Sequence, residues 1–243
     1  MYPQNYQATQ NNNSPLSPEI DQENQQIKDY EQQLRLGFIR KVYGILCMQL
    51  LYTVFMCSLT FISSVNLFYR THIVIFFICL VFSIVFIILL VCFNDLSKRV
   101  PNNYILLGLF TFCEVYMIAT CSSFYSPKIV ITAATMTTAV TLGLTYYACT
   151  TKTDFTFLGG FLFCATILLI CLFVFSFFIP FLHTLMCVLG VLIFSLYLIF
   201  DTQLIMGKFG ESYQIDDYII AALMVYLDII TIFIYLLSLI GGR

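Results

Sequence analysis

Seven stretches of roughly 20 apolar residues dominate this sequence, each long enough to cross a ~30 Å hydrocarbon core as a helix. They run approximately over residues 42–65, 73–93, 104–124, 129–147, 155–179, 182–206 and 218–240. Only Pro180 and its neighbours divide the fifth from the sixth. One unbroken helix over 155–206 would measure about 75 Å at 1.5 Å per residue, so two spans joined by a tight turn is the reading that fits. With 60% hydrophobic and 10% charged residues, the chain lies far from a soluble domain, about a quarter of which is charged. The fold class is therefore an all-α integral membrane protein, a bundle of seven transmembrane helices.

Of the 24 charged residues, only fourteen lie between Val42 and Gly242. The basic residues fix an orientation. Lys28, Arg35, Arg40, Lys41, Lys98, Arg99, Lys152 and Lys208 fall on the face of the N-terminus, and Arg70, Lys128 and Arg243 on the other. That bias places the N-terminus in the cytosol. His72 and His183 lie on the far side, where they read as ordinary interfacial histidines. A net charge of −2 argues against a basic surface for nucleic acid. Residues 1–35 form a first region, a cytosolic tail rich in Gln and Asn that reads as disordered. Residues 36–243 form the transmembrane domain. The tail has no apolar core of a signal peptide before Asp29, so the first span serves as an uncleaved anchor. The ten cysteines have no C-x-x-C spacing, which makes them packing residues rather than disulfide or zinc partners.

The fourth span stands apart in composition, with Thr132, Thr135, Thr137, Thr138, Thr141 and Thr145 beside Ala133, Ala134, Ala139 and Gly143. Small and hydroxylated residues let helices approach closely. An interior packing helix is the expectation, and a hydrated wall along an ion path the alternative.

Three charges lie inside spans, and all are acidic: Glu114, Asp201 and Asp228. An ionisable group at membrane depth costs several kcal/mol unless paired, hydrated or protonated, which makes it a functional candidate. Helical rise puts Glu114 and Asp228 roughly 15 Å in, near the midplane, and Asp201 roughly 9 Å deep. The last two spans are consecutive and antiparallel, so their aspartates are placed to meet. Two unit charges 4 Å apart repel by about 4 kcal/mol at an effective dielectric of 20, so a meeting pair tends to share one proton near neutral pH. A divalent cation relieves the same repulsion. Calcium, which accepts oxygen ligands in a flexible shell, suits such a site better than magnesium.

The residues around these carboxylates carry a resemblance. Tyr197-Leu198-Ile199-Phe200-Asp201-Thr202-Gln203, then Tyr218-Ile219-Ile220-Ala221-Ala222-Leu223, then Tyr226-Leu227-Asp228-Ile229-Ile230 resemble the C-terminal signature of the transmembrane Bax inhibitor motif family. Phe38-Ile39-Arg40-Lys41-Val42-Tyr43, Phe110-Thr111-Phe112-Cys113-Glu114 and Lys152-Thr153-Asp154-Phe155 are similar to its lifeguard branch. The resemblance implies a bundle with the last helix central and a location in the endoplasmic reticulum or Golgi. It further implies calcium leak from internal stores and suppression of cell death. In related bacterial proteins the aspartates matching Asp201 and Asp228 form a pH-sensitive pair latched by an arginine near the end of the second span. Arg99 is the candidate for that latch here.

The leading expectation is a pH-regulated calcium leak channel of an intracellular membrane. Asp201 and Asp228 would be its proton sensor and metal-binding pair, and Glu114 a third acid on the path. Calcium and protons are its ions, no cofactor is called for, and the bilayer and cell-death regulatory proteins are its partners. The alternative is a membrane interaction protein that restrains cell-death or stress signalling without carrying ions. A seven-span receptor fits the helix count alone and would need the opposite orientation. An enzyme is disfavoured, because no nucleophile with a base, no histidine-rich metal spacing and no hydrolase elbow is found.

Overall fold

The computed structural model describes residues 18–210 and 212–242. Nine α-helices follow in order among the described residues: α1 (Pro18–Leu59), α2 (Ser63–Thr71), α3 (Ile73–Cys92), α4 (Asn94–Lys98), α5 (Asn102–Ser123), α6 (Pro127–Thr150), α7 (Gly159–Ser176), α8 (Pro180–Met206) and α9 (Tyr218–Gly241). All but α2 and α4 are long and apolar enough to cross a membrane, α7 together with the 3-10 turn before it. The start of α1, helix α4, the α6–α7 connection and the α8–α9 loop share one face, here the near face. Helix α2 and the α5–α6 and α7–α8 connections share the far face.

The punctuation explains the ends. Pro127 and Pro180 open α6 and α8 at their first turns, where a missing N–H costs nothing. Gly207 and Gly242 close α8 and α9 in the left-handed conformation. The turn at Pro180 is thus where the sequence places it.

Two boundaries differ. Residues 18–35, expected as part of the tail, are the opening turns of α1. Their Gln, Glu, Leu and Lys are good helix formers, and the span below supplies the nucleus that an isolated segment lacks. Residues 1–17 of the tail lie outside the described residues. The first span ends at Leu59 rather than 65, and α2 follows as a separate far-face helix.

Helix α9 is the central post. Of its apolar span 67% is buried, against 17% for α3 and α6 and 11% for α7. Helices α1, α5, α6 and α8 all pack on it. One side of α1 follows the post as a stripe at helical spacing, Phe38, Val42, Leu46, Gln49, Thr53 and Cys57, every member buried. Two of its polar members bond across helices: Gln49 Nε2 donates to Thr111 Oγ1 on α5 at 2.8 Å, and Thr53 Oγ1 meets the Tyr226 hydroxyl on α9 at 2.9 Å.

Helices α8 and α9 approach closely where the Tyr235 ring lies against the backbone of Gly190. A Cβ there would stand 2.4 Å from the nearest ring carbon. Gly190→Ala is accordingly expected to lower stability by about 1–3 kcal/mol through overpacking, read as an earlier thermal unfolding midpoint in detergent.

Helix α6 departs from expectation. It is a peripheral helix rather than an interior one, with Thr132, Thr135 and Thr138 exposed. Thr132, Thr135, Thr137 and Thr138 donate to carbonyls one turn back on α6 itself, at 2.8–2.9 Å. A helix whose hydroxyls bond their own backbone presents little polarity to its surroundings, and this is why composition alone misplaced it.

Candidate functional site, the aspartate pair under the near-face loop

Asp201 stands near the C-terminal end of α8 and Asp228 in the middle of α9, the two helices that pack most extensively against each other. Both side chains are buried, 5% and 4% exposed, and their carboxyl groups are close enough to interact directly. Ionised carboxylates are acceptors only, so that contact is a hydrogen bond only when a proton lies between them. Asp228 Oδ2 is buried with no donor among the described residues. Asp201 Oδ1 accepts from the Tyr213 hydroxyl at 3.0 Å.

Tyr213 belongs to loop 207–217 between α8 and α9, and its hydroxyl brings that loop into contact with the pair. Burial, and after it the neighbouring Asp201, pushes the Tyr213 phenol upward from its ordinary value, so the hydroxyl stays protonated and donates. The loop is tied down on three sides. From α1, Arg35 Nη1 donates to the Tyr213 carbonyl at 2.6 Å, and Nη2 to the carbonyl of Leu204 in the last turn of α8. A helix end leaves its last carbonyls without partners, and the guanidinium fills that need while holding the loop. From α4, Lys98 Nζ meets Asp217 Oδ1 at 3.1 Å and donates to Gln214 Oε1 at 2.9 Å. From the loop itself, Lys208 donates to the Cys149 carbonyl at the end of α6.

Gln203 fixes α8 from the other side. Fully buried, it accepts from the Phe155 N–H at 2.8 Å and donates to the Thr153 carbonyl at 2.9 Å. The α6–α7 connection is thereby pinned to the turn of α8 that carries Asp201.

Of the residues singled out from sequence, the structure brings Asp201 and Asp228 together. Glu114 is placed elsewhere: half-buried on α5, it accepts from Ser83 Oγ on α3 at 2.5 Å. Arg99 is exposed at the C-cap of α4. Sequence reasoning did not single out Tyr213, Arg35 or Gln203. For Arg35 a signal existed, because it continues the α1 stripe one turn beyond Phe38. Among the described residues no three His, Cys, Asp or Glu side chains form a metal cluster. A cation at the pair would therefore complete its shell with water or backbone oxygens.

Residues 35–243 match the family described as "Inhibitor of apoptosis-promoting Bax1". The chain belongs to that family. Among curated Bax inhibitor relatives, human protein lifeguard 3 is 38% identical over 221 residues, covering 88% of this chain and 71% of the relative. Arabidopsis thaliana protein LIFEGUARD 4 is 36% identical over 214 residues, covering 85% of each. The family match begins at Arg35 itself, so the residue that clamps the loop lies inside it.

Proposed function

We propose that this Bax inhibitor family member is a proton-regulated calcium leak pathway of an intracellular membrane, the endoplasmic reticulum or Golgi, and through that leak modulates cell death. The observation that carries the reading is the buried contact of Asp201 and Asp228 beneath a loop whose Tyr213 reaches the pair. A proton between the carboxylates joins α8 to α9. Its loss leaves two like charges in contact, which either separate or take up a cation. Protons and calcium thus compete, and calcium occupancy of the pair rises with pH. Glu114, close to the midplane on α5, serves as a further acidic station. The excess of Lys and Arg on the near face supports a cytosolic N-terminus, which makes loop 207–217 the cytosolic closure.

A second reading is an interaction protein that restrains cell death without carrying ions. It draws support from the near-face extension of α1, where Ile27, Tyr30 and Leu34 form an exposed apolar stripe at helical spacing. Flux through liposomes containing the full chain, followed from pH 6 to 8, separates the two. The leak reading expects calcium release that changes by up to about tenfold per pH unit, the limit for one linked proton. It also expects a pH-independent rate from Asp201→Asn combined with Asp228→Asn. Vesicles as tight as protein-free ones would leave the interaction reading.

A further inference from the structure

Helices α1 and α6 both pack on α9 but barely on each other. Between them lies a cleft of about 310 Å³, floored by Ile229, Ile230 and Phe233 of α9. Along α6 its lining extends from Val130 to Leu142, about 18 Å at the helical rise, or roughly the depth of one leaflet. Ala134, Thr137, Thr138 and Thr141 are the small residues of the α6 wall, and they create space instead of close packing. The hydroxyls of Thr137 and Thr138 are committed to their own helix. Of the lining hydroxyls only Thr141 Oγ1 has no partner among the described residues, fewer than the two to four polar partners a buried water needs, whereas hydrocarbon fills such a space without penalty.

The far-face connections carry basic residues and no acidic ones. None of the thirteen Asp and Glu residues falls in segments 60–72, 124–128 or 177–180, while Arg70 and Lys128 do. Arg70 is engaged: its guanidinium donates to the Ser123 carbonyl and lies 5.3 Å from the centre of the Phe124 ring. Lys128 is exposed in the first turn of α6. It stands three residues before Ile131, which lines the cleft, and residues at that spacing share a helix face. The N-terminal end of α6 adds its own partial positive charge. An apolar slot one leaflet deep, topped by a lysine with no carboxylate in its own stretch of chain, matches one class of molecule.

We propose that the α1–α6 cleft is a binding site for an anionic phospholipid of the far-face leaflet, one acyl chain lying against Ile229, Ile230 and Phe233 and the phosphate meeting Lys128. Because Ile229 directly follows Asp228 on α9, the bound chain buttresses the helix that carries half of the aspartate pair.

Native mass spectrometry of the full chain from nanodiscs of equal phosphatidylglycerol and phosphatidylcholine tests the site. The wild-type protein should retain one phosphatidylglycerol, favoured about fivefold over phosphatidylcholine. Ala134→Phe, which fills the cleft from α6, should reduce retention at least fivefold, and so should Ser58→Phe from the exposed edge of α1. Leu51→Phe, on a lipid-facing position outside the cleft, should not. Lys128→Gln should keep a lipid but lose the preference between headgroups. Circular dichroism shows which filled variants are folded, and the Ser58 variant stands in if Ala134→Phe is not. Wild type without retained lipid, equal retention of the two headgroups, or a folded filled variant that still holds its lipid would overturn the proposal.

Discussion

Arg35→Ala is expected to raise calcium leak about tenfold at the pH where the wild-type protein is tightest, and to speed hydrogen exchange across loop 207–217. Two hydrogen bonds from one guanidinium disappear, to the carbonyls of Tyr213 and Leu204. Hydrogen bonds to charged groups contribute about 1.5–3 kcal/mol each. Arg35 is only partly buried, and water takes over part of its role, so a net shift of about 1.4 kcal/mol is the working figure, equivalent to tenfold in the ratio of displaced to closed loop. Hydrogen exchange reads the loop whether or not ions flow. Arg99→Ala beside it compares the two arginines: a larger leak from Arg99→Ala would move the latch to the end of α4.

Gly207→Ala is expected to reproduce that phenotype without touching Arg35. Gly207 closes α8 at φ +65°, a conformation costing an L side chain roughly 1–2 kcal/mol. The new Cβ would also stand 2.8–2.9 Å from three atoms of the Arg35 guanidinium, so the clamp must give way. Combining Gly207→Ala with Arg35→Ala should therefore add little beyond either alone, as for residues acting through one contact. Gly210→Ala supplies the comparison, since its φ is +90° with open space around the site. It pays only the backbone cost and should leave the leak near the wild-type rate. Equal effects of the two glycine substitutions would detach Gly207 from the clamp.

The spans and the aspartate pair were legible because the membrane imposes a coarse grammar: apolar length, basic bias and the scarcity of buried charge. Asp201 and Asp228 announced themselves as acids in apolar runs, and antiparallel neighbours with a short loop had to bring them near each other. What surrounds them was not legible by that grammar. Tyr213 lies in a loop of mixed composition, where nothing in the local pattern says which ring turns inward. Arg35 looked like one more residue of a polar tail. Only its phase with Phe38, Val42 and Leu46 marks it as facing the core, and that phase has meaning once α1 is known to continue past the membrane without a break. The threonines of α6 were misread for a related reason: a hydroxyl satisfied on its own helix carries no information about its neighbours.

That unbroken α1 has one more implication. From Pro18 to Leu59 it is a single rod about 63 Å long, with Arg35 roughly 25 Å from its outer end. A rod gripped at Ile27 or Tyr30 transmits tilt and torque, because intervening helical turns do not absorb them. A protein seated on that arm would bear mechanically on the α8–α9 loop through the Arg35 contacts, so a load on the near face and the fastening of that loop are coupled.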